Sequence, residues 1–254
     1  MISIFLSHQW KSFWRSRNKA GSIAAQIVLG FFMLYFLVVA IGIGFWMSTL
    51  IEKFMPGINP TVIFNGLILY YFLFDLVIRI QMQELPTLSI VPYLHLNISR
   101  KTIVNFLNIK SLFSIFNILP WFIFFPFVIL NIMTKQGGLV GTAYLLSILA
   151  LVFFNNYLVL YLKRKAINNV AIFGVGMLLI LGLAGLDYYQ LISIRDFSNL
   201  IFQSVAKYPY LSLAFVAAAV AIFSVNSILL RNNLYTEELS SKDDKKVSTD
   251  YPFL

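Results

Sequence analysis

Apolar residues along this chain gather into six long runs, and polar and charged residues gather between them. The runs fall at about 23–51, 61–80, 103–132, 139–162, 170–186 and 210–230. A hydrocarbon core of ~30 Å is crossed by ~20 apolar residues in a helix, and the runs match that length. The pattern predicts an all-α, polytopic membrane protein whose six transmembrane helices occupy residues 19–231. Glu52, Lys53 and Pro56-Gly57-Ile58-Asn59-Pro60 form the first turn, and Lys135-Gln136-Gly137-Gly138 the third. Residues 81–101 are a longer break carrying Pro86 and Pro92. Pro120 and Pro126 sit inside the third run, where neighbouring helices can re-satisfy the carbonyls they free. The fifth run is rich in glycine (Gly174, Gly176, Gly182, Gly185), a composition that permits close approach of helix backbones in lipid.

Two further segments carry helical periodicity without enough apolar length to cross. Over 1–18, Ile2, Leu6, Trp10, Phe13 and Trp14 share one face, with His8, Lys11 and Arg15 opposite. An amphipathic helix of this kind lies in the membrane interface, as an anchor or as a contact for a partner. Over 187–209, Leu191, Ile194, Ile201 and Val205 favour one face and Arg195, Asn199 and Gln203 another. That segment reads as an interfacial or re-entrant helix on the outer side, or as a surface-lying connector. Residues 232–254 read as a polar cytoplasmic tail.

Composition agrees with the pattern: 59% of residues are hydrophobic and 11% charged, against about 25% charged in soluble domains. Mean hydropathy is +0.82. The spans and their connections use nearly all 254 residues, which leaves them no room for a soluble catalytic domain. A net charge of +9 raises nucleic acid as a partner, but the cations flank apolar runs and form no binding face, so none is expected. They set orientation instead. Lys11, Arg15, Arg17, Lys19, Arg100, Lys101, Lys163, Arg164, Lys165 and Arg231, with Lys242, Lys245 and Lys246, fall on one side; Lys53, Lys135, Arg195 and Lys207 fall on the other. The richer side is cytoplasmic by the positive-inside rule, and an even number of crossings puts both termini there. The first run is longer than a signal-peptide core and no small-residue cleavage pattern follows it.

Candidate chemistry is sparse. Asp75 and Arg79 stand four apart in the second run and so share a helix face. Buried ions in lipid are costly and mark function by default; this pair reads as a structural ion pair, a gating contact or a proton relay. Asn155, Asn156 and Asn226 lie inside spans, as do Asn65 and Asn117, and suit interhelical hydrogen bonds or a polar path for cargo. His8 and His95 belong to no zinc or nucleophile-elbow pattern, and the chain has no cysteine. No catalytic residue, metal site or cofactor is expected. Ser99 can cap a helix beginning at Arg100; Arg100 and Lys101 are surface cations, and Lys110 can reach back toward phosphate from deeper in the membrane.

The stretch Asn97-Ile98-Ser99-Arg100-Lys101 with Lys110 resembles the cytoplasmic loop before the third span of ABC-2-type permeases. That pattern opens on a proline, in whose place this chain has Asn97, with Pro92 nearby. More narrowly, Gln9-Trp10-Lys11 and the basic-aromatic start resemble an uncharacterised bacterial permease-like family whose members run longer, with a second membrane half. The resemblance implies a permease subunit of an ATP-driven exporter in the bacterial inner membrane, as a first half or a truncated form. It implies a second permease bundle and a separate ATP-binding cassette ATPase, gripped through loop 84–102 with His95 among its residues. No GxxxxGK[ST] occurs in the chain, so nucleotide would be bound in trans. The rival expectations are an intramembrane enzyme, for which Asp75 is the one acidic residue within a span, and a secondary carrier, which calls for inverted repeats.

Overall fold

A computed structural model describes residues 20–86, 99–168 and 171–247. The helix expected over 1–18 with His8, the loop residues His95, Asn97 and Ile98, and the chain from 248 onward lie outside the described residues. The described residues are helical and contain no strand. We number the helices α1 (Ala20–Phe54), α2 (Pro60–Met82), α3 (Arg100–Leu112), α4 (Ile115–Gln136), α5 (Gly138–Asn168), α6 (Ala171–Tyr188), α7 (Ile194–Lys207) and α8 (Ser212–Val247).

Among the described residues, five stretches are long and apolar enough to cross a membrane: Gly30–Phe54, Pro60–Met82, Ile115–Gln136, Gly138–Ala166 and Pro209–Asn232. The chain is an all-α membrane protein with these five candidate spans. The fifth apolar run of the sequence falls on α6, whose described apolar part, Leu178–Tyr188, is shorter.

The turns follow from their residues. Gly57 and Gly137 adopt φ of 86° and 98°, which a side chain would oppose. Asn59 Oδ1 accepts the Thr61 N–H at 2.9 Å, capping α2 with Pro60 as its first residue. The third run does not form the single helix expected over 103–132. It breaks at Phe113–Ser114, leaving α3 as a separate amphipathic helix and moving the span to Ile115–Gln136. Ser111 Oγ donates to the Asn108 carbonyl at 2.7 Å, and the Phe113 N–H reaches the Lys110 carbonyl at 3.2 Å. The ladder thus closes three residues back and stops. α3 is also too polar for hydrocarbon, with Arg100, Lys101, Asn105, Asn108 and Lys110 in one short helix. Within α4 the π-helical turn Val128–Met133 follows Pro120 and Pro126. The last span, Pro209–Asn232, ends close to the expected Leu230, and α8 continues past it to Val247 through the polar sequence read as a tail.

The chain divides into two compact units. The first comprises Met1–Ile68, Ile115–Leu149 and Arg195–Leu213. In it Phe64 stacks on Phe127 at 4.0 Å and meets Phe124 edge-on at 5.8 Å. There α1 packs on α4, and a Cβ on Gly44 would stand 2.5 Å from the Ile123 carbonyl oxygen and 2.9 Å from that of Phe122. Pro126 cannot donate to the carbonyl four residues back, so the glycine backbone fits against a part of α4 already opened. An apolar cleft of about 270 Å³ lies beside this contact, lined by Phe45, Trp121, Phe122 and Phe125 among others. The second unit comprises Leu69–Ser114, Ala150–Ile194 and Ala214–Leu254. Its apolar clusters join Leu76 and Ile80 to Val159, with Ile180 against them, and Ile103, Val104 and Leu107 to Leu230.

Close approach by the glycines of the fifth run is not what the structure has. A Cβ at Gly174, Gly176, Gly182 or Gly185 would meet nothing within 4 Å. α6 packs through Ile180, and by the helical period Gly174, Gly182 and Gly185 fall on its other side. The tight approaches are instead at Gly44, Gly66 and Gly141. Over 187–209 the buried residues of α7 are Ile194, Ser198, Phe202 and Val205; Leu191, expected on that face, is exposed before the helix begins.

Candidate functional site

Within the second unit, buried polar side chains from α2, α3, α5 and α8 join into one hydrogen-bonded chain. It starts on α2, where a repeat of three and four residues (Phe72, Asp75, Arg79, Gln83) runs down one buried stripe. Arg79 Nε donates to Asp75 Oδ2 at 2.7 Å, and the two side chains are 0% and 6% exposed. Asn155 Nδ2 on α5 donates to the same Oδ2 at 3.0 Å and to the Phe72 carbonyl at 2.8 Å. A buried carboxylate is tolerable only with such a full set of donors.

Gln83, one residue past the end of α2, is the next link. Its Oε1 accepts from Arg79 Nη1 at 3.4 Å, its Nε2 donates to Asn156 Oδ1 at 2.8 Å, and its carbonyl accepts from Lys163 Nζ at 2.5 Å. Asn156 Nδ2 in turn donates to Ser111 Oγ on α3 at 3.1 Å. One turn back on α3, Asn108 Nδ2 donates to Ser227 Oγ at 2.8 Å and Asn108 Oδ1 accepts from Asn226 Nδ2 at 3.3 Å, both on α8. Arg164 Nη1 then donates to Asn226 Oδ1 at 2.5 Å, returning the chain to α5. Asn156 and Asn226 are wholly buried, and Arg164 nearly so.

The spacing on α5 explains how one helix serves both ends of the chain. Asn156, Leu160 and Arg164 recur every four residues on its buried face, and Asn155 lies beside them. In the Lys163-Arg164-Lys165 triplet, consecutive residues point about 100° apart. Lys163 is half-buried on Gln83, Arg164 is buried and Lys165 is exposed.

Of the residues singled out in the sequence, Asp75, Arg79, Asn155, Asn156 and Asn226 all meet in this chain. The loop residues do not. Ser99 caps α3, its Oγ accepting the Thr102 N–H at 3.4 Å, while Arg100 and Lys101 are exposed. Lys110 is half-buried, and burial lowers its pKa from the ordinary lysine value. Gln83, Asn108, Ser111 and Arg164 were missed. The period carried a signal for Arg164, since it stands eight residues after Asn156 on one stripe. Gln83 and Ser111 are common polar residues near helix ends, and nothing local marks them. In the first unit Asn65 is buried, and its Oδ1 has no hydrogen-bond partner among the described residues.

Chemically, this set offers cations, amides and one carboxylate, joined by hydrogen bonds within and between helices. Among the described residues no three His, Cys, Asp or Glu side chains are grouped to hold a metal ion. The arrangement fixes helices to one another through a connected set of hydrogen bonds. No curated protein and no solved structure matches the chain. Its match to a family description runs over residues 9–254, and on that extent the chain belongs to the family of unknown function DUF5687.

Proposed function

We propose that this protein is the membrane subunit, or half-subunit, of an ATP-driven exporter of the ABC-2 kind. It takes up ATPase motion through loop 84–102 and carries no ATPase activity of its own. The observation that supports this most is the position of Asn156. The chain enters the loop from Gln83 and leaves it into α3, and Gln83 and the far end of α3 both hydrogen-bond to this one buried amide, through Gln83 at 2.8 Å and Ser111 at 3.1 Å. A push on the loop therefore reaches α5 by two routes that meet at one side chain. α5 is well placed to respond, with 50% of its apolar window buried against 12% for α1.

Six crossings fit this reading. α6 has 18 residues, and at the helical rise it extends about 27 Å, close to the ~30 Å of the hydrocarbon core. With α6 counted, both termini and loop 84–102 share the cation-rich, cytoplasmic side of a bacterial inner membrane. A second bundle, as another copy or another half, completes the pathway. The cargo class is a lipid, a glycan or an amphipathic small molecule.

The test is affinity purification from native membranes, with bound proteins identified by mass spectrometry and by photolabelling with azido-ATP. The intact chain brings down a P-loop ATPase. Deletion of residues 93–101 removes it while membrane insertion persists. Asn156→Leu retains the ATPase but abolishes its stimulation by the membrane subunit. Undiminished association after the deletion contradicts the coupling role.

A further inference from the structure

α7 divides into three stripes that differ in burial and polarity. Ile194, Ser198, Phe202 and Val205 recur at four, four and three residues and are at most 7% exposed. Phe197 and Leu200, three apart, are 59% and 63% exposed. Asp196, Asn199, Gln203 and Lys207 form the third stripe, where Gln203 Nε2 donates to Asn199 Oδ1 at 3.1 Å. A helix on the surface of a soluble protein needs two faces, one for the core and one for water. The second apolar stripe asks for another apolar medium.

The depth at which α7 is held names that medium. Within the first unit, the Ser198 hydroxyl donates to the Asn65 carbonyl. A Cβ on Gly66 would stand 2.7 Å from Arg195 Cγ. The Tyr144 hydroxyl donates to the Phe202 carbonyl at 2.8 Å, with the two rings 5.5 Å apart. Gly66 lies six residues into α2 from Pro60, and Tyr144 six residues into α5 from Gly138. Both contacts are thus about 9 Å along their spans from the same end, by the helical rise. Amphipathic helices bound to bilayers bury their apolar face by a similar depth, about 5–10 Å. The chain then passes through Tyr208 and Pro209 straight into the Pro209–Asn232 span. Tyr208 and Tyr210 are exposed there, with Lys207 Nζ 5.2 Å from the Tyr208 ring centre. Tyrosine and lysine together are typical of the headgroup layer.

We infer that α7 is an in-plane helix that binds the bilayer itself, with Phe197 and Leu200 among the acyl chains and Asn199, Gln203 and Lys207 among headgroups and water. The occupant of the exposed stripe is phospholipid, not protein. The helix is held at its start by Asp187, whose Oδ1 accepts the Ile194 N–H at 2.8 Å. It is held along its length by Asn65, Gly66 and Tyr144, so it keeps its depth and cannot float off. Such a wedge fills one leaflet with helix while the other leaflet stays lipid. The inference stands apart from the transport reading.

The chain has no cysteine, so single cysteines can be introduced without removing any. Spin labels at Phe197→Cys, Leu200→Cys and Gln203→Cys, in the full chain reconstituted into phosphatidylcholine vesicles, are read for collision with oxygen and with an aqueous nickel chelate. Trp46→Cys, at a residue 67% exposed on a span, supplies the lipid reference in the same preparation. The labels at 197 and 200 should match that reference, and the ratio of oxygen to nickel collision should fall severalfold at 203. Equal nickel collision at all three positions overturns the inference in favour of a water-exposed connector. Protection of 197 and 200 from both reagents overturns it in favour of a protein partner or second copy on that face.

Discussion

Arg79 shows why a few polar residues matter more here than their number suggests. A guanidinium with no exposure in a membrane span is tolerable because Asp75 stands at 2.7 Å and Gln83 at 3.4 Å. Removing one partner strands the other charge, and breaking a buried pair costs about 3–5 kcal/mol. Arg79→Ala should therefore lower the thermal midpoint in detergent sharply. Asp75→Asn combined with Arg79→Gln should cost less than the two single changes added together, because the neutral pair leaves no orphaned ion. Additive losses would mean that the pair is not coupled. The pairing could be read from the four-residue spacing alone. The identity of the third partner could not, since Asn155 is 80 residues away along the chain and only the folded packing of α5 on α2 brings it there.

At the scale of elements, α5 carries the largest share of the organisation. Its period puts Asn156 and Arg164 on one stripe while Lys165 faces out. Arg164→Ala should destabilise by about 2–3 kcal/mol, the range for a hydrogen bond to a charged group that leaves a buried amide unmatched. Lys165→Ala should stay within about 0.5 kcal/mol, as surface substitutions do. Chemical denaturation of the two variants in detergent checks this, and equal effects would contradict the buried assignment. The sequence made the helices visible because lipid imposes one strong rule, about 20 apolar residues per crossing. It did not make the break at Phe113–Ser114 visible. There the decisive bonds are Ser111 to the Asn108 carbonyl and Phe113 N–H to the Lys110 carbonyl, which no hydropathy average senses. The glycines of α6 misled for a related reason. A small residue permits close approach only where another helix arrives, and the arrivals are at Gly44, Gly66 and Gly141.

For the whole molecule, the proposed division of labour is between the two units. The polar chain gathers Gln83, Asn108, Ser111, Lys163, Arg164 and Asn226, residues close to the ends of α2, α3, α5 and the apolar part of α8. α7 is held near the starts of α2 and α5, within the first unit. On the proposed function mechanical input belongs to the polar chain, and on the inference for α7 lipid contact belongs to that helix. In vivo photocrosslinking separates them most directly. A photoreactive residue in place of Arg100, which is exposed at the start of α3, should yield an adduct with a P-loop ATPase, and one in place of Asn199 should not. Absence of any ATPase adduct from position 100, or equal adducts from both positions, would contradict the account.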